Sequence, residues 1–377
     1  MAGLYIHIPF CKQRCRYCAF YSTTQHHLQQ DYTNAICSEL ELRKEYIKGA
    51  TIETIYFGGG TPSLLTTEQL TSILATIKKE YSISPAAEIT IECNPDDLTP
   101  SHLAMLHKQG FNRISMGVQS FCDEQLQRLG RRHTADSARQ AVKNARIAGF
   151  RNISIDLMFA LPCSTPEQWL NDLRSAIGLK PEHISAYNLT YEEGTPLYRA
   201  LQKGEITELS EEENIAQFNT LIEELGKAGY HHYEISNFAK PGRESRHNSS
   251  YWNDTPYLGC GAGAHSYNGT SRGWNIADIA QYIKGINEGV PAFEVEELTN
   301  EERYNDAILT RLRTAEGLPL AWVKEKFGDT LYNYMMRVAR KEIAFGNLQE
   351  KPNGNLALTP KGFFVSNAVI REFIYVP

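Results

Sequence analysis

The chain has 377 residues, of which 42% are hydrophobic and 22% charged, and its formal net charge is −6. This length suits two or three domains, and the negative charge argues against nucleic acid as the main partner. No apolar run approaches the roughly 20 residues of a membrane-spanning helix and no secretory segment precedes the first cysteines, so we expect a cytoplasmic protein with reduced thiols.

Apolar, β-branched segments alternate with segments of helical periodicity through the first half of the chain. The predicted strands are Leu4–Ile8, Ile52–Phe57, Glu88–Glu92, Arg113–Val118, Asn152–Phe159 and His183–Thr190. The helices predicted between them are Asp31–Ile47, Thr67–Tyr81, Ser101–Gln109, Thr134–Ala148 and Pro166–Ile177. Strands that alternate with helices form parallel sheets. The pattern therefore predicts an α/β fold, a partial (βα)6 TIM-like barrel over residues 1–205, with no seventh or eighth unit evident.

Three closely spaced cysteines, Cys11, Cys15 and Cys18, follow the first predicted strand with the spacing CxxxCxxC. A [4Fe-4S] cluster normally takes one cysteine per iron, so three cysteines leave one iron open to a small molecule. Structural zinc is the main alternative, with His7 as a further ligand, but His7 lacks a standard zinc-site spacing. Disulfides are disfavoured because a chain of this length builds a core without them. The spacing favours a cluster.

Polar residues and a glycine triplet stand where the other predicted strands end, which is the edge where parallel βα folds bind ligands. They are Gly58–Pro62 after the second strand, then Glu92, Asn94, Gln119, Ser120, Asp156, Tyr187 and Asn188. Taken singly, each has an ordinary structural role in a turn or helix cap. Their common position beside the cysteines predicts one ligand site.

The end of the chain has the pattern of a separate, mainly α-helical module over residues 301–377. Its predicted elements are helices at Glu301–Arg313, Leu320–Phe327 and Thr330–Ala344 and a hairpin at Leu348–Thr359. This order is typical of winged-helix-like domains. Such domains often bind DNA, but the module has no basic cluster, so a lid or a partner surface is favoured.

Several motifs together resemble those of radical S-adenosylmethionine (SAM) proteins, over nearly the whole chain. They are the cysteine segment Tyr5–Phe20, the GGGTP segment Gly58–Pro62, and the segments Gly117–Phe121, Leu129–His133 and His247–Trp252. Within that superfamily the chain resembles the group of oxygen-independent coproporphyrinogen III oxidases and heme chaperones. The last segment, with the pattern HNxxYW in the connecting region 206–300, is similar to the heme chaperones, and residues 301–377 are similar to a HemN-type C-terminal domain.

The resemblance implies a cofactor site built on the predicted barrel edge. Cys11, Cys15 and Cys18 would bind a [4Fe-4S] cluster, and SAM would bind the fourth iron through its amino and carboxylate groups. The residues implied around SAM are Tyr5, Gly59, Gly60, Thr61, Glu92, Gln119, Arg131 and Asp156. Arg132 stands next to Arg131, so it is open which of the two arginines faces the site.

The segment Arg246–Trp252 and the glycine-rich stretch that follows it combine aromatic residues, small residues and two histidines. Rings that stack, glycines that permit close approach and a neutral imidazole all suit an iron-containing planar macrocycle. We therefore predict heme as a ligand, with His247 as the leading axial ligand and with His265 and His7 as weaker candidates. In the alternative, the aromatic residues pack a small core and His247 hydrogen-bonds a loop.

Two features separate the two functions that the resemblance implies. Phe20 occupies the position at which the oxidases carry a further cysteine, and the chain also begins at the cluster strand without their long N-terminal extension. Both features favour a heme chaperone over an oxidase or another radical SAM enzyme acting on a porphyrin. The expected partners are a heme acceptor protein and an electron donor protein, and a homodimer and a peripheral membrane contact stay open.

Overall fold

The computed structural model describes residues 1–291 and 293–376, and at its centre lies a sheet with six consecutive parallel strands. These strands are Ala2–Ile8 (β1), Ile52–Gly59 (β2), Ile83–Cys93 (β3), Arg113–Gln119 (β4), Ile153–Phe159 (β5) and His183–Asn188 (β6). They are adjacent in chain order, and every neighbouring pair is parallel. The predicted α/β fold is confirmed.

The five helices predicted between these strands are present, although the first ends at Leu42 rather than Ile47, and further helices follow β4 and β6. In chain order the helices are Gln29–Leu42 (α1), Thr67–Glu80 (α2), Pro100–Gln109 (α3), Asp123–Arg128 (α4), Ala135–Ile147 (α5) and Pro166–Gly178 (α6), followed after β6 by Pro196–Gln202 (α7) and Glu211–Lys227 (α8). Threonines at the N-caps of α2, α5 and α6 form capping boxes. Such boxes satisfy N–H groups that a helix end leaves unpaired, which explains why these helices begin where the sequence predicts.

The sheet continues past both edges of the parallel region, which the sequence analysis did not foresee. Past β6 lie the antiparallel strands His231–Glu234 (β7) and Asn237–Ala239 (β8), and past β1 lie Tyr257–Cys260 (β9), His265–Tyr267 (β10), Ser271–Asn275 (β11) and Phe293–Glu297 (β12). β9 is parallel to β1. Strands of three to five residues are too short to show clear alternation. Residues 206–300 thus extend the barrel sheet, and they also contain the helices Arg246–Tyr251 (α9) and Ile279–Asn287 (α10).

A buried carboxylate ties α1 to the added strands. Glu39 has no exposed surface, and it accepts hydrogen bonds from Tyr282 Oη (2.6 Å), Gly261 N (2.8 Å), Asn275 Nδ2 (2.8 Å) and Arg43 Nη1 (2.8 Å). A buried charge is tolerated when both of its oxygens are paired in this way. Glu39 therefore fixes the position of the turn after β9 relative to the barrel.

The C-terminal module has a hydrophobic core of its own, which includes Tyr304, Ile308, Met335, Leu356 and Phe373. Its elements are Asn300–Arg311 (α11), Leu318–Pro319 (β13), Leu320–Phe327 (α12), Asp329–Ala344 (α13), Leu348–Glu350 (β14), Asn355–Leu358 (β15), Pro360–Phe364 (α14) and Ser366–Glu372 (α15). The three predicted helices and the hairpin are present, and β13 adds a third strand to the hairpin. Within the described ranges, no helix is both long enough and apolar enough to cross a membrane.

Candidate functional site

The three cysteines lie on a loop that follows β1 and is closed at its base by the backbone. Cys11 N donates to Thr23 O (2.9 Å), and Thr23 N donates to Pro9 O (2.7 Å), so the chain before the cysteines pairs with the chain after them. Three cysteines of the loop form no disulfide and are partly exposed, namely Cys11, Cys15 and Cys18. The loop thus presents three thiols near the C-terminal end of β1.

A chain of polar contacts joins two of the cysteines across the end of the barrel. Arg131 Nη1 donates to Cys15 Sγ (3.3 Å) and Arg131 Nη2 to Asn94 Oδ1 (2.6 Å). Asn94 Nδ2 donates to Thr61 Oγ1 (3.0 Å), and Thr61 Oγ1 lies 3.9 Å from Cys11 Sγ. Donors beside thiolates stabilise their charge and orient them. Asn94 was expected at this edge of the sheet but was not among the residues that the resemblance implies around SAM.

The two neighbouring arginines have different roles, which answers the question that the sequence left open. Arg131 also donates to Gly117 O and reaches the cysteine loop. Arg132 instead forms ion pairs with Asp96 and Asp97. Of the two, Arg131 is therefore the one that faces the candidate site.

The glycine triplet at the end of β2 packs against the protein itself. A Cβ on Gly59 would lie 2.6 Å from the His7 ring, and one on Gly60 would lie 2.7 Å from Phe10 O. The backbone N–H groups are also in use, since Gly59 N donates to Glu92 and Gly60 N to Ile8 O (3.0 and 2.8 Å). The space beside Gly59 and Gly60 and their N–H groups are therefore occupied by the protein itself.

Glu92 at the end of β3 is a carboxylate held among polar donors. Its Oε1 accepts from Tyr56 Oη (2.7 Å) and its Oε2 from Gly59 N (3.0 Å). Burial and the nearby Asp156 outweigh these hydrogen bonds and raise the pKa of Glu92 to about 7. A carboxylate poised in this way gains from a neighbouring cation, such as an ammonium or sulfonium group.

Asp156 on β5 and Tyr187 on β6 are polar residues of two adjacent strands. Ser115 Oγ donates to Asp156 (3.2 Å), and burial raises the pKa of Asp156. Tyr187 keeps 42% of its surface accessible, yet burial among protein atoms raises the pKa of its hydroxyl. The charge of Asp156 acts on Glu92, and that of Arg131 acts on Asp156. These three side chains therefore belong to one polar region near the ends of the strands.

Gln119 reaches the same region through an irregularity of β4. Its φ angle is +69°, and the register of β4 with β5 shifts between Gly117 and Gln119. A Cβ on Gly117 would lie 3.0 Å from Gln119 Nε2 and 3.2 Å from Arg131 Nη2, so both side chains lie over this glycine. Bulges re-aim side chains in this way, and left-handed non-glycine residues concentrate at functional sites.

Tyr5 and His247 form an aromatic stack inside the barrel with Tyr56. The ring centroid of His247 lies 5.0 Å from that of Tyr56 and 6.3 Å from that of Tyr5. The two nitrogens of His247 are bonded to Thr54 Oγ1 and Tyr251 Oη, both at 2.8 Å, and 1% of the residue is exposed. Burial lowers its pKa to about 3. This arrangement favours the structural alternative for His247 over heme ligation.

The described residues include no group of three histidine, cysteine or acidic side chains that converge to bind a single metal ion. A [4Fe-4S] cluster does not need such convergence, because each of its cysteines binds a different iron. The donor set fits a cluster, because three thiols are accessible in one loop. The Arg131 guanidinium donates to one of them, and the Thr61 hydroxyl lies near another. Tyr56, which donates to Glu92, was not among the predicted site residues. Its signal in the sequence is a hydroxyl group within an otherwise apolar strand.

Two family models match the chain, namely the Radical SAM superfamily over residues 5–176 and the HemN C-terminal domain over residues 298–365. The chain is 36% identical to the heme chaperone HemW of Bacillus subtilis, over 99% of both chains. It is 31% identical to HemW of Mycobacterium tuberculosis, over 99% of this chain and 94% of the relative. It is 40% identical to HemW of Escherichia coli, over 70% of this chain and 69% of the relative.

A solved structure has the same fold. The Escherichia coli coproporphyrinogen III oxidase HemN, described as a radical SAM enzyme, superimposes with a TM-score of 0.86 over 99% of this chain and 89% of its own. The sequence identity is 24%. The shared fold covers both the barrel and the C-terminal module.

Proposed function

Because the chain belongs to the HemW family of heme chaperones within the radical SAM superfamily, we propose that it binds heme, a [4Fe-4S] cluster and SAM and transfers the heme to acceptor proteins. The observation that carries the cofactor part is the polar chain from Cys15 through Arg131, Asn94 and Thr61 to Cys11. It links the cysteine loop to the ends of β2, β3 and β4, where the other predicted site residues stand.

In this proposal each predicted residue has a physical task. Cys11, Cys15 and Cys18 hold the cluster, which, when reduced, supplies an electron to SAM. Gly59 and Gly60 would contact the ammonium group of SAM through carbonyl oxygens, because their N–H groups are already hydrogen-bonded.

The remaining residues would bind the polar groups of SAM. The carboxyl groups of Glu92 and Asp156 would face its cationic groups, and the Arg131 guanidinium would pair with its carboxylate. Tyr5 lies near Glu92, since a Cβ on Gly58 would lie 3.1 Å from the Tyr5 ring and 3.2 Å from the Glu92 carboxyl carbon. Gln119 lies over Gly117 next to Arg131 and adds an amide to this set.

The competing function is an oxidase that decarboxylates coproporphyrinogen III. Phe20 supports the chaperone instead, because a phenylalanine two residues after Cys18 offers no thiol where the oxidases have one. Phe20 is 73% exposed, so its ring offers an apolar surface next to the cluster loop rather than a further ligand.

We also propose the cellular setting that follows from a heme chaperone. Its partners would be a heme acceptor protein and an electron donor protein in the cytoplasm, with peripheral contact to a membrane if the acceptor resides there, and with a homodimer as a further assembly. Nucleic acid is not expected as a partner, since the net charge is −6.

The proposal is tested by anaerobic cluster reconstitution followed by heme loading and mixing with apomyoglobin as a heme acceptor probe. We expect iron and sulfide to bind in the wild type and in Cys37→Ala, whose thiol lies on α1, but not in a Cys11→Ala, Cys15→Ala, Cys18→Ala variant. We expect heme to pass to apomyoglobin. Release of CO2 from coproporphyrinogen III under anaerobic reductant would refute the chaperone function.

A further inference from the structure

A cavity of about 610 Å³ lies between the barrel, the added strands β9–β11 and helix α11 of the C-terminal module. Its volume falls within the roughly 300–1,000 Å³ of sites for small molecules and cofactors. Seven aromatic side chains line it: Tyr5, Phe20, Tyr21, Tyr251, Trp252, Tyr257 and Tyr267. Aromatic walls of this kind suit a flat apolar ligand, because rings pack in offset stacks or edge to face.

The charged groups of the lining are paired with one another or with neighbours. Arg272 Nη1 lies 3.2 Å from Asp306 Oδ1, and Asp254 Oδ2 lies 2.5 Å from Lys326 Nζ. Paired charges leave little net field for a strongly charged small substrate. The cavity is therefore better matched to an extended aromatic ligand than to a highly charged one.

Two of the three histidines near the cavity have both ring nitrogens occupied. His247 bonds to Thr54 and Tyr251. His7 lies 3.0 Å from Tyr5 Oη through Nδ1 and 3.3 Å from Tyr21 O through Nε2, and only 6% of it is exposed. A nitrogen that is already hydrogen-bonded must give up its partner before it can bind iron.

His265 on β10 is different. It is an exposed residue that lines the cavity, its ring packs 6.2 Å from that of Trp274, and among the described residues no hydrogen bond involves its ring nitrogens. Partial burial and the nearby Arg272 lower its pKa. The imidazole is consequently neutral at neutral pH, which is the form that binds iron.

Phe20 connects the cavity to the cluster loop. It follows Cys18 by two residues, lines the cavity, and exposes 73% of its surface. A phenylalanine this exposed gains when a flat apolar ligand covers it. The same cavity wall thus borders the cysteine loop on one side and His265 on the other.

We propose that heme binds in this cavity, stacked among its aromatic side chains, with the His265 imidazole as its axial ligand. The inference rests on the proposed function only in taking heme as the cargo. In this assignment His247 is a positioning residue, which orients Tyr251 on the cavity wall through its Nε2 (2.8 Å).

In this assignment the His265 imidazole binds the iron, and the aromatic side chains stack on the ring. Hemin binding depends on both contacts, whereas binding of iron-free protoporphyrin IX depends on stacking alone. We would titrate the cluster-loaded protein with hemin, following the Soret band, and with iron-free protoporphyrin IX, following its fluorescence. His265→Ala should weaken hemin binding at least tenfold and shift the Soret band, and its affinity for protoporphyrin IX should be unchanged. Added free imidazole should restore the wild-type Soret spectrum of this variant. His265→Met should keep an axial ligand to the iron but alter the Soret spectrum. Phe20→Ala should weaken the binding of both hemin and protoporphyrin IX.

His231→Ala is the matched control, since His231 is exposed on β7 and does not line the cavity. A wild-type Soret band and affinity in His265→Ala would overturn the inference. Loss of the iron-ligand signature in His247→Ala with its retention in His265→Ala would return the role to His247. If the wild type itself binds no hemin, the proposed function fails, which is a separate result.

Discussion

Gly60 offers a sharp test of how the barrel holds the cysteine loop. A Cβ at this position would lie 2.7 Å from Phe10 O, 2.8 Å from Pro9 C and 2.9 Å from Pro9 O. These are backbone atoms directly before Cys11, and they cannot rotate away as a side chain can. Gly60→Ala must therefore displace either the end of β2 or the start of the cysteine loop.

Overpacking of this kind typically costs about 1–3 kcal/mol. We expect Gly60→Ala to lower the free energy of unfolding by that amount and to bind less iron after reconstitution, as measured by thermal unfolding and iron analysis. Gly178→Ala is the control, because its new Cβ would meet no atom within 4 Å at the end of α6. Unchanged melting and iron loading in Gly60→Ala would refute the packing argument.

Three further predictions concern buried polar groups. The pKa of Glu92 is raised from 4.5 to about 7, so the folded state binds this proton more tightly than the unfolded state, and the resulting stability, present below about pH 4.5, is lost as the pH rises through about 7. In denaturant titrations of the cluster-free protein, Glu92→Gln should therefore have a higher free energy of unfolding than wild type. This gain should be larger at pH 8 than at pH 5, by up to about 3 kcal/mol, and an equal gain at both pH values would contradict the reasoning. Asn94→Ala should leave Arg131 Nη2 without its amide acceptor and release iron faster on exposure to a chelator, whereas Asn94→Asp should retain the acceptor; equal release rates in Asn94→Ala and wild type would refute the polar chain. Glu39→Ala should lower the free energy of unfolding by about 3–5 kcal/mol, because it leaves Arg43 without its buried partner, and a loss below 1 kcal/mol would show that water replaces the carboxylate.

The features that the sequence predicts correctly are those set by neighbouring residues. The six parallel strands were predicted because each contains a short apolar run followed by a segment of helical periodicity, and several of these helices have a capping threonine. The cysteine triad was identified for the same reason, since its meaning lies in the spacing of three nearby residues.

The site residues were less predictable, because their roles depend on contacts between distant segments. Glycine-rich turns are typical of ligand sites, but the space beside Gly59 is filled by His7. Asn94 connects Arg131 to Thr61, residues 37 and 33 positions away in the chain. No local pattern reports such a contact.

By itself, the amino-acid sequence determined the α/β barrel, the thiols of the cysteine loop, and the resemblance to the radical SAM proteins of heme metabolism. Only the tertiary structure decided which of two adjacent arginines faces the site and which histidine has its ring nitrogens free. His247 stands in the signature motif but is enclosed by Thr54, Tyr56 and Tyr251, while His265 lies on a short strand and opens into a cavity. The physical reason is that availability for binding depends on burial and on hydrogen-bond partners, and distant parts of the chain supply both.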